Sequence, residues 1–275
     1  FNEKELVELR VKYLNDIVDC FLVVEADHTH TGKEKKWNFP EVLNSRLKNY
    51  SNKIKYHQMK VDLEKAEAEK DPRYKSLKGP LANAGRAWKV ENMQRNFIKD
   101  CYKKLTTSKD DIIIISDLDE IPSKEKISFI KPSDFEVIAP VAFAQSLFYL
   151  NCNYLDLEQW IGSVAITGQL IEKYEPQTFR DYKNRISRFS DAGWSFSSFG
   201  GTKRIIEKLE AFGHVEYNLE EYKDENHIKK CIQTGGDLFN RKVKKKRVDK
   251  NIFPRDLLNL MEENSTFFFG SNTTI

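Results

Sequence analysis

Three carboxylates stand directly after the most hydrophobic run in the chain. Ile112-Ile113-Ile114-Ile115-Ser116 leads into Asp117-Leu118-Asp119-Glu120-Ile121-Pro122. Four β-branched residues in a row suit a strand covered on both faces, and ligands of open α/β sheets bind outside the carboxyl ends of the strands. Negative charge crowded at such an end is costly unless something positive neutralises it. A hard divalent cation, Mn²⁺ or Mg²⁺, bridging carboxylate and phosphate oxygens does so. The Asp-x-Asp spacing places both carboxylates on the same side of a turn, so that one can hold the metal and the other a ribose or a metal-bound water. Pro122 stiffens the turn.

The plain alternative is an exposed acidic loop, disfavoured because the acids follow so apolar a strand. A chemical rival is a haloacid-dehalogenase-like phosphotransferase with Asp117 as nucleophile. In that group Gly and Thr or Val normally follow the second Asp, and here Glu120-Ile121-Pro122 follows instead. A third reading is a non-catalytic protein using the basic run Lys242 to Arg247 to hold nucleic acid, although such runs are usually solvated faces.

The elements that must position these residues are legible upstream. Leu6, Leu9, Tyr13, Leu14 and Ile17 have helical spacing. Cys20 to Val24 reads as a buried strand ending at Glu25, and Ile54 to Val61 contains a second. Residues 62 to 80 form a charged, partly helical excursion. Val90, Met93, Phe97, Cys101 and Leu105 put a helix over Trp88 to Leu105, on which Glu91 and Arg95 are spaced for an ion pair. Further strands are expected from Phe135 to Thr167, and helices near Thr202 to Ala211, Glu221 to Cys231 and Arg255 to Glu263. The order favours a mostly parallel α/β sheet flanked by helices.

At 275 residues the chain is long enough for one large domain. Its 45 basic and 42 acidic residues leave a net charge of +3, which gives no general reason to expect nucleic acid. The four cysteines are spaced neither for zinc nor as a disulfide framework and read as free, mostly buried thiols. No apolar run is long enough to span a bilayer and no signal-peptide pattern is present. The expectation is a cytoplasmic chain, with an upstream strand or anchor left open by the abrupt start at Phe1.

The sequence also resembles glycosyltransferase family 17. The matches run in order through Phe1-Asn2-Glu3, Glu8-Leu9-Arg10, Val18-Asp19, Val24-Glu25, Thr31-Gly32-Lys33, Trp88, Glu91, Gln94-Arg95, the Asp110 to Pro122 stretch, Gly193-Trp194, Lys208 and His214-Val215-Glu216. They cover about residues 1 to 217, expected to be a catalytic domain, with 218 to 275 as a helical extension packed on it.

The resemblance implies a GT-A, Rossmann-like fold and inverting transfer from a nucleotide sugar, first of all UDP-N-acetylglucosamine, to a glycan hydroxyl. It implies Asp119, Asp117 and His214 around the metal. Glu25, Thr31, Gly32, Lys33, Arg95, Asp117, Trp194 and Lys208 fall on the donor, and Asp191 or Glu216 serves as base. For Glu25, an N-cap or loop ion pair is an equal alternative. A histidine usually follows Gly-Trp in that family; here it is Ser195.

Overall fold

The computed structural model describes residues 2–74, 77–131, 133 and 140–268. Helix α1 (Lys4–Leu14) precedes strand β1 (Phe21–Ala26), and α2 (Phe39–Ser45) lies between β1 and β2 (Ile54–Met59). Helix α3 (Leu63–Ala68) and the long α4 (Ala84–Tyr102) lead to β3 (Ile112–Ile115), the acidic turn, β4 (Glu120–Pro122) and α5 (Lys124–Ser128). Then come β5 (Val141–Tyr149), β6 (Tyr154–Asp156) and β7 (Trp160–Thr167). Helices α6 (Gly168–Lys173) and α7 (Pro176–Tyr182) precede β8 (Ser187–Phe189) and β9 (Gly193–Ser197). The remainder is α8 (Gly201–Ala211), α9 (Glu220–Lys223), α10 (Glu225–Thr234), β10 (Lys245–Arg247) and α11 (Arg255–Glu262).

The fold is mixed α/β, but the sheet is not mostly parallel as the element order suggested. β1 and β2 form a parallel pair of their own. The larger sheet has the order β10-β6-β5-β7-β3, with β8 beside β5 and β9 between β5 and β4. Within it only β5–β8 and β5–β9 are parallel. The reason is local. The link from Tyr149 to Trp160 is too short for a parallel crossover, which takes a dozen or more residues, so β7 returns antiparallel to β5 and β3 then adds antiparallel to β7.

Helix α1 buries Leu6, Val7, Leu9, Val11, Tyr13 and Leu14 in a core shared with α11 and with Phe148, Phe196, Phe253 and Phe267. A second cluster packs α10 through Ile228, Cys231 and Ile232 onto α8 and the end of β5. The described residues after 217 are therefore not helical alone: β10 extends the large sheet along β6, and α11 enters the main core. The expected strand segment from Phe135 lies outside the described residues until 140. The four cysteines are free; Cys101, Cys152 and Cys231 are buried and Cys20 is exposed. Among the described residues no helix is long and apolar enough to cross a membrane.

Candidate active site

The acidic turn at the end of β3 is held from three directions. From α1, the partly buried Arg10 donates to the carbonyl oxygens of Asp117 at 2.8 Å and Glu120 at 3.3 Å, fixing the turn's backbone. From α4, Arg95 Nη2 donates to Asp117 Oδ1 and to Glu91 Oε1, both at 2.9 Å. From α7, Arg180 Nη2 donates to Asp117 Oδ2 and Glu120 Oε1, both at 2.7 Å, while its Nη1 reaches Glu120 Oε2 at 2.8 Å and the carbonyl of Gly162. Glu120 is only 1% exposed. It also accepts from Trp160 Nε1 at 2.8 Å and from the Asp117 amide at 3.0 Å, so its acceptor positions are filled. Burial opposes charge on Asp117, but Arg95 and Arg180 outweigh it and hold its carboxyl well below the usual range.

Asp119 is treated differently. Its Oδ2 meets Lys208 Nζ at 3.3 Å, and that ammonium is shared with Glu3 at 3.1 Å. Burial pushes its carboxyl up to about 6; Lys208 offsets this only in part, and Glu3, Glu120 and Asp117 add repulsion. A carboxylate short of positive charge suits a hard cation. Among the described residues no three His, Cys, Asp or Glu side chains gather closely enough to hold a metal alone. A cation at Asp119 would therefore share its coordination with ligand oxygens. His214 lies against the edge of Trp88, 4.7 Å between ring centroids, and its Nδ1 pairs with Glu216 at 2.7 Å.

These groups line a cleft of about 1600 Å³ that holds Arg95, Asp117, Asp119, Lys208, Glu25 and His214 together. Glu25 has four protein donors: Lys35 Nζ at 2.7 Å, Tyr56 Oη at 2.8 Å, and the amides of Asn38 at 2.9 Å and Phe39 at 3.1 Å. That is the structural alternative, a carboxylate tying the following loop to the start of α2. Thr31, Gly32 and Lys33 do not line the cleft. Gly32, at φ +89°, turns the loop, and Thr31 Oγ1 donates to the Glu210 carbonyl at 3.0 Å. Neighbouring His30 lines it instead.

Trp194 and Ser195 alternate across β9. Trp194 faces the core, edge-on to Tyr13 at 6.0 Å, and Ser195 lines the cleft. The close approach that Gly193 permits is to protein: at φ +131° an added Cβ would sit 2.2 Å from the Ile121 carbonyl oxygen. Asp191 is exposed in the preceding turn at φ +48°, and neither it nor Glu216 lines the cleft.

Other lining residues also lie outside the candidates read from the sequence, Arg180, Lys183 and Trp160 among them. Arg180 and Lys183 come from α7 and its end, a helix without a strong periodic signal. Trp160, 39% exposed, opens β7 and carries the Lys183 ammonium 3.9 Å above its ring. Burial, then Arg180, bring Lys183 down to about 8.

The family model described as Glycosyltransferase family 17 matches residues 1–245. This chain belongs to that family. Its relatives include the beta-1,4-mannosyl-glycoprotein 4-beta-N-acetylglucosaminyltransferases of Rattus norvegicus and Homo sapiens, each 26% identical over 265 residues, and that of Mus musculus, 25% identical over the same length. Each match takes in 86% of this chain but 46% of the relative, so the family 17 chain spans about half the length of these proteins. No solved structure matches it. Membership weighs against a phosphotransferase, and so does Asp117 itself, whose two oxygens are engaged by arginines and poorly placed to attack. The basic run is partly structural: Lys245 Nζ donates to the Gly236 carbonyl at 3.0 Å and lies over Tyr149.

Proposed function

We propose that this family 17 chain transfers N-acetylglucosamine from its UDP conjugate to a glycan hydroxyl, with inversion and with Mn²⁺ or Mg²⁺, at the cleft beside Asp119, in a GT-A arrangement. The observation that carries this is the contrast within one turn. Asp117 and Glu120 are neutralised by Arg95 and Arg180, whereas Asp119 is left with one shared lysine. Of the three carboxylates in the turn, Asp119 is thus the one at which a cation and a diphosphate would complete the charge balance. When bound, the metal supplies positive charge to the departing diphosphate.

The protein's own groups do the rest. Lys208 stands where it can meet phosphate oxygens, and Asp119 would hold the metal with Asp117 beside it. His30, Trp88 and His214 form a heteroaromatic wall suited to the base. Trp160 offers an apolar face to a sugar ring, as aromatic side chains at binding sites do. The acceptor must lose a proton to a carboxylate. Here we favour Asp181 over Asp191 and Glu216, because it lines the cleft and, among the described residues, accepts only from Gln177, at 2.8 Å.

The test is calorimetric titration with UDP-N-acetylglucosamine and with UDP, with and without Mn²⁺, on the wild-type chain and Asp119→Ala. Metal-dependent binding that the variant loses is expected. Equal binding by both proteins, or metal-independent binding, would overturn the reading.

A further inference from the structure

Below the acidic turn the cleft continues as a slot between two strand edges. Residues 20–25 line it without a break on one side and residues 110–120 on the other. A strand that showed the slot only one face would contribute alternate residues; unbroken runs mean that the edges of β1 and β3 bound it. Among the described residues β1 is hydrogen-bonded to β2 alone and β3 to β7 alone, so each has a free edge toward the slot. Two helices close it, α1 through Val7, Val11 and Leu14, and α4 through Ile98 and Tyr102.

The two edges run in the same direction. On α4, Gln94 donates to the Val24 carbonyl near the end of β1 at 3.4 Å, and the next residue, Arg95, reaches Asp117 just past the end of β3. Two turns further along the helix, Tyr102 donates to Asp111, at the start of β3, at 2.9 Å. The ends of both strands are thus level on one helix, and both line the slot from there. Leu22, Val23, Val24, Ile112, Ile113 and Ile114 remain only partly buried around it, although their types suit full burial.

Helix α1 adds a second, independent pointer. It leads into β1 and shares a core cluster with Phe21 and Val23, as the crossover helix of a strand–helix–strand unit does. At its start, Glu3 lies at the acidic end of the slot, bound to Lys208 and through it to Asp119. A chain emerging from the slot in the direction of β1 and β3 would arrive at Glu3, turn into α1 and return as β1, the usual right-handed parallel connection.

We propose that the slot seats one more parallel strand, supplied by the polypeptide on the amino-terminal side of Asn2, which joins the two sheets into one. Its neighbours are six residues long in β1 and four in β3, and it is about as long. Covered on both faces, it is a near-continuous apolar run and not an alternating one. It supplies the backbone partners that β1 and β3 otherwise lack, and its end sets the position of Glu3, hence of Lys208 and Asp119.

Amide hydrogen exchange on the natural chain carrying the residues ahead of Phe1, compared with the chain from Phe1, tests this. Alternate amides of both β1 and β3 should gain protection of about 100-fold or more in the longer chain. Equal exchange in the two chains overturns the proposal. So does protection lost on deleting the residues after Phe268, which would assign the slot to the carboxyl-terminal segment. Should the shorter chain fail to fold, single cysteines along the upstream run are paired with Ile113→Cys in the longer one. Disulfide formation at one position and its alternate neighbours supports the strand, and none at any position refutes it.

Discussion

The two halves of the Asp117–Glu120 turn are neutralised to different degrees. On the Arg180 side, every oxygen of Glu120 and Asp117 meets a guanidinium, an indole or an amide, and the arrangement is closed. On the Lys208 side, Asp119 and Glu3 share one ammonium. The first half holds the backbone and the second keeps charge in reserve for a ligand. Stability and binding are thus divided between carboxylates within one turn.

Four measurements bear on that division, from the largest effect to the smallest. Arg180→Ala leaves Glu120 buried without its cation, and breaking such a pair costs about 3–5 kcal/mol; chemical denaturation should show a loss of that size, and a loss below about 1 kcal/mol would dissolve the contrast. Asp119→Asn should lower transfer by about 100- to 1000-fold, the scale of removing one charge-stabilising group, while leaving the fold intact. Trp160→Phe keeps an aromatic face but deprives Glu120 of a donor, which should cost about 1–3 kcal/mol of stability. Transfer in that variant should change less than in Asp119→Asn.

The last measurement is the pH dependence of the stability difference between wild type and Asp119→Asn. The folded carboxyl is raised from 3.8 to about 6. Its favourable contribution is therefore fully present below about pH 4 and disappears as pH rises through 6. At pH 7 the variant should be the more stable protein, by on the order of 1 kcal/mol. A difference that is flat between pH 4 and 7 would mean that Asp119 is better compensated than its contacts suggest.

What the sequence revealed follows from where the signals are local. The four isoleucines and the acids behind them identify the turn, and periodicity finds α1, α4, α8, α10 and α11 within a few residues of their observed ends. Sheet direction was not legible, because it depends on the short link between β5 and β7 and not on any residue pattern. Arg180 was missed for the same kind of reason: it lies 60 residues from Glu120 on a seven-residue helix, and only tertiary packing brings it back. Trp194 shows the opposite error. A glycine beside an indole suggests a ligand wall, yet strand alternation sends Trp194 to the core and leaves Ser195 in the cleft.

Helix α4 carries a further implication. Trp88, Glu91 and Arg95 lie three and four residues apart on one stripe, and successive residues Gln94 and Arg95 reach different sheets. The separation between the aromatic wall and the Asp117 carboxylate is thus gauged by a rigid rod rising about 1.5 Å per residue, not by a loop. One residue inserted between Trp88 and Arg95 would rotate one end against the other by about 100°. A change of length inside α4 would therefore break the site where one in the loops before it would not, which makes α4 the ruler of the site.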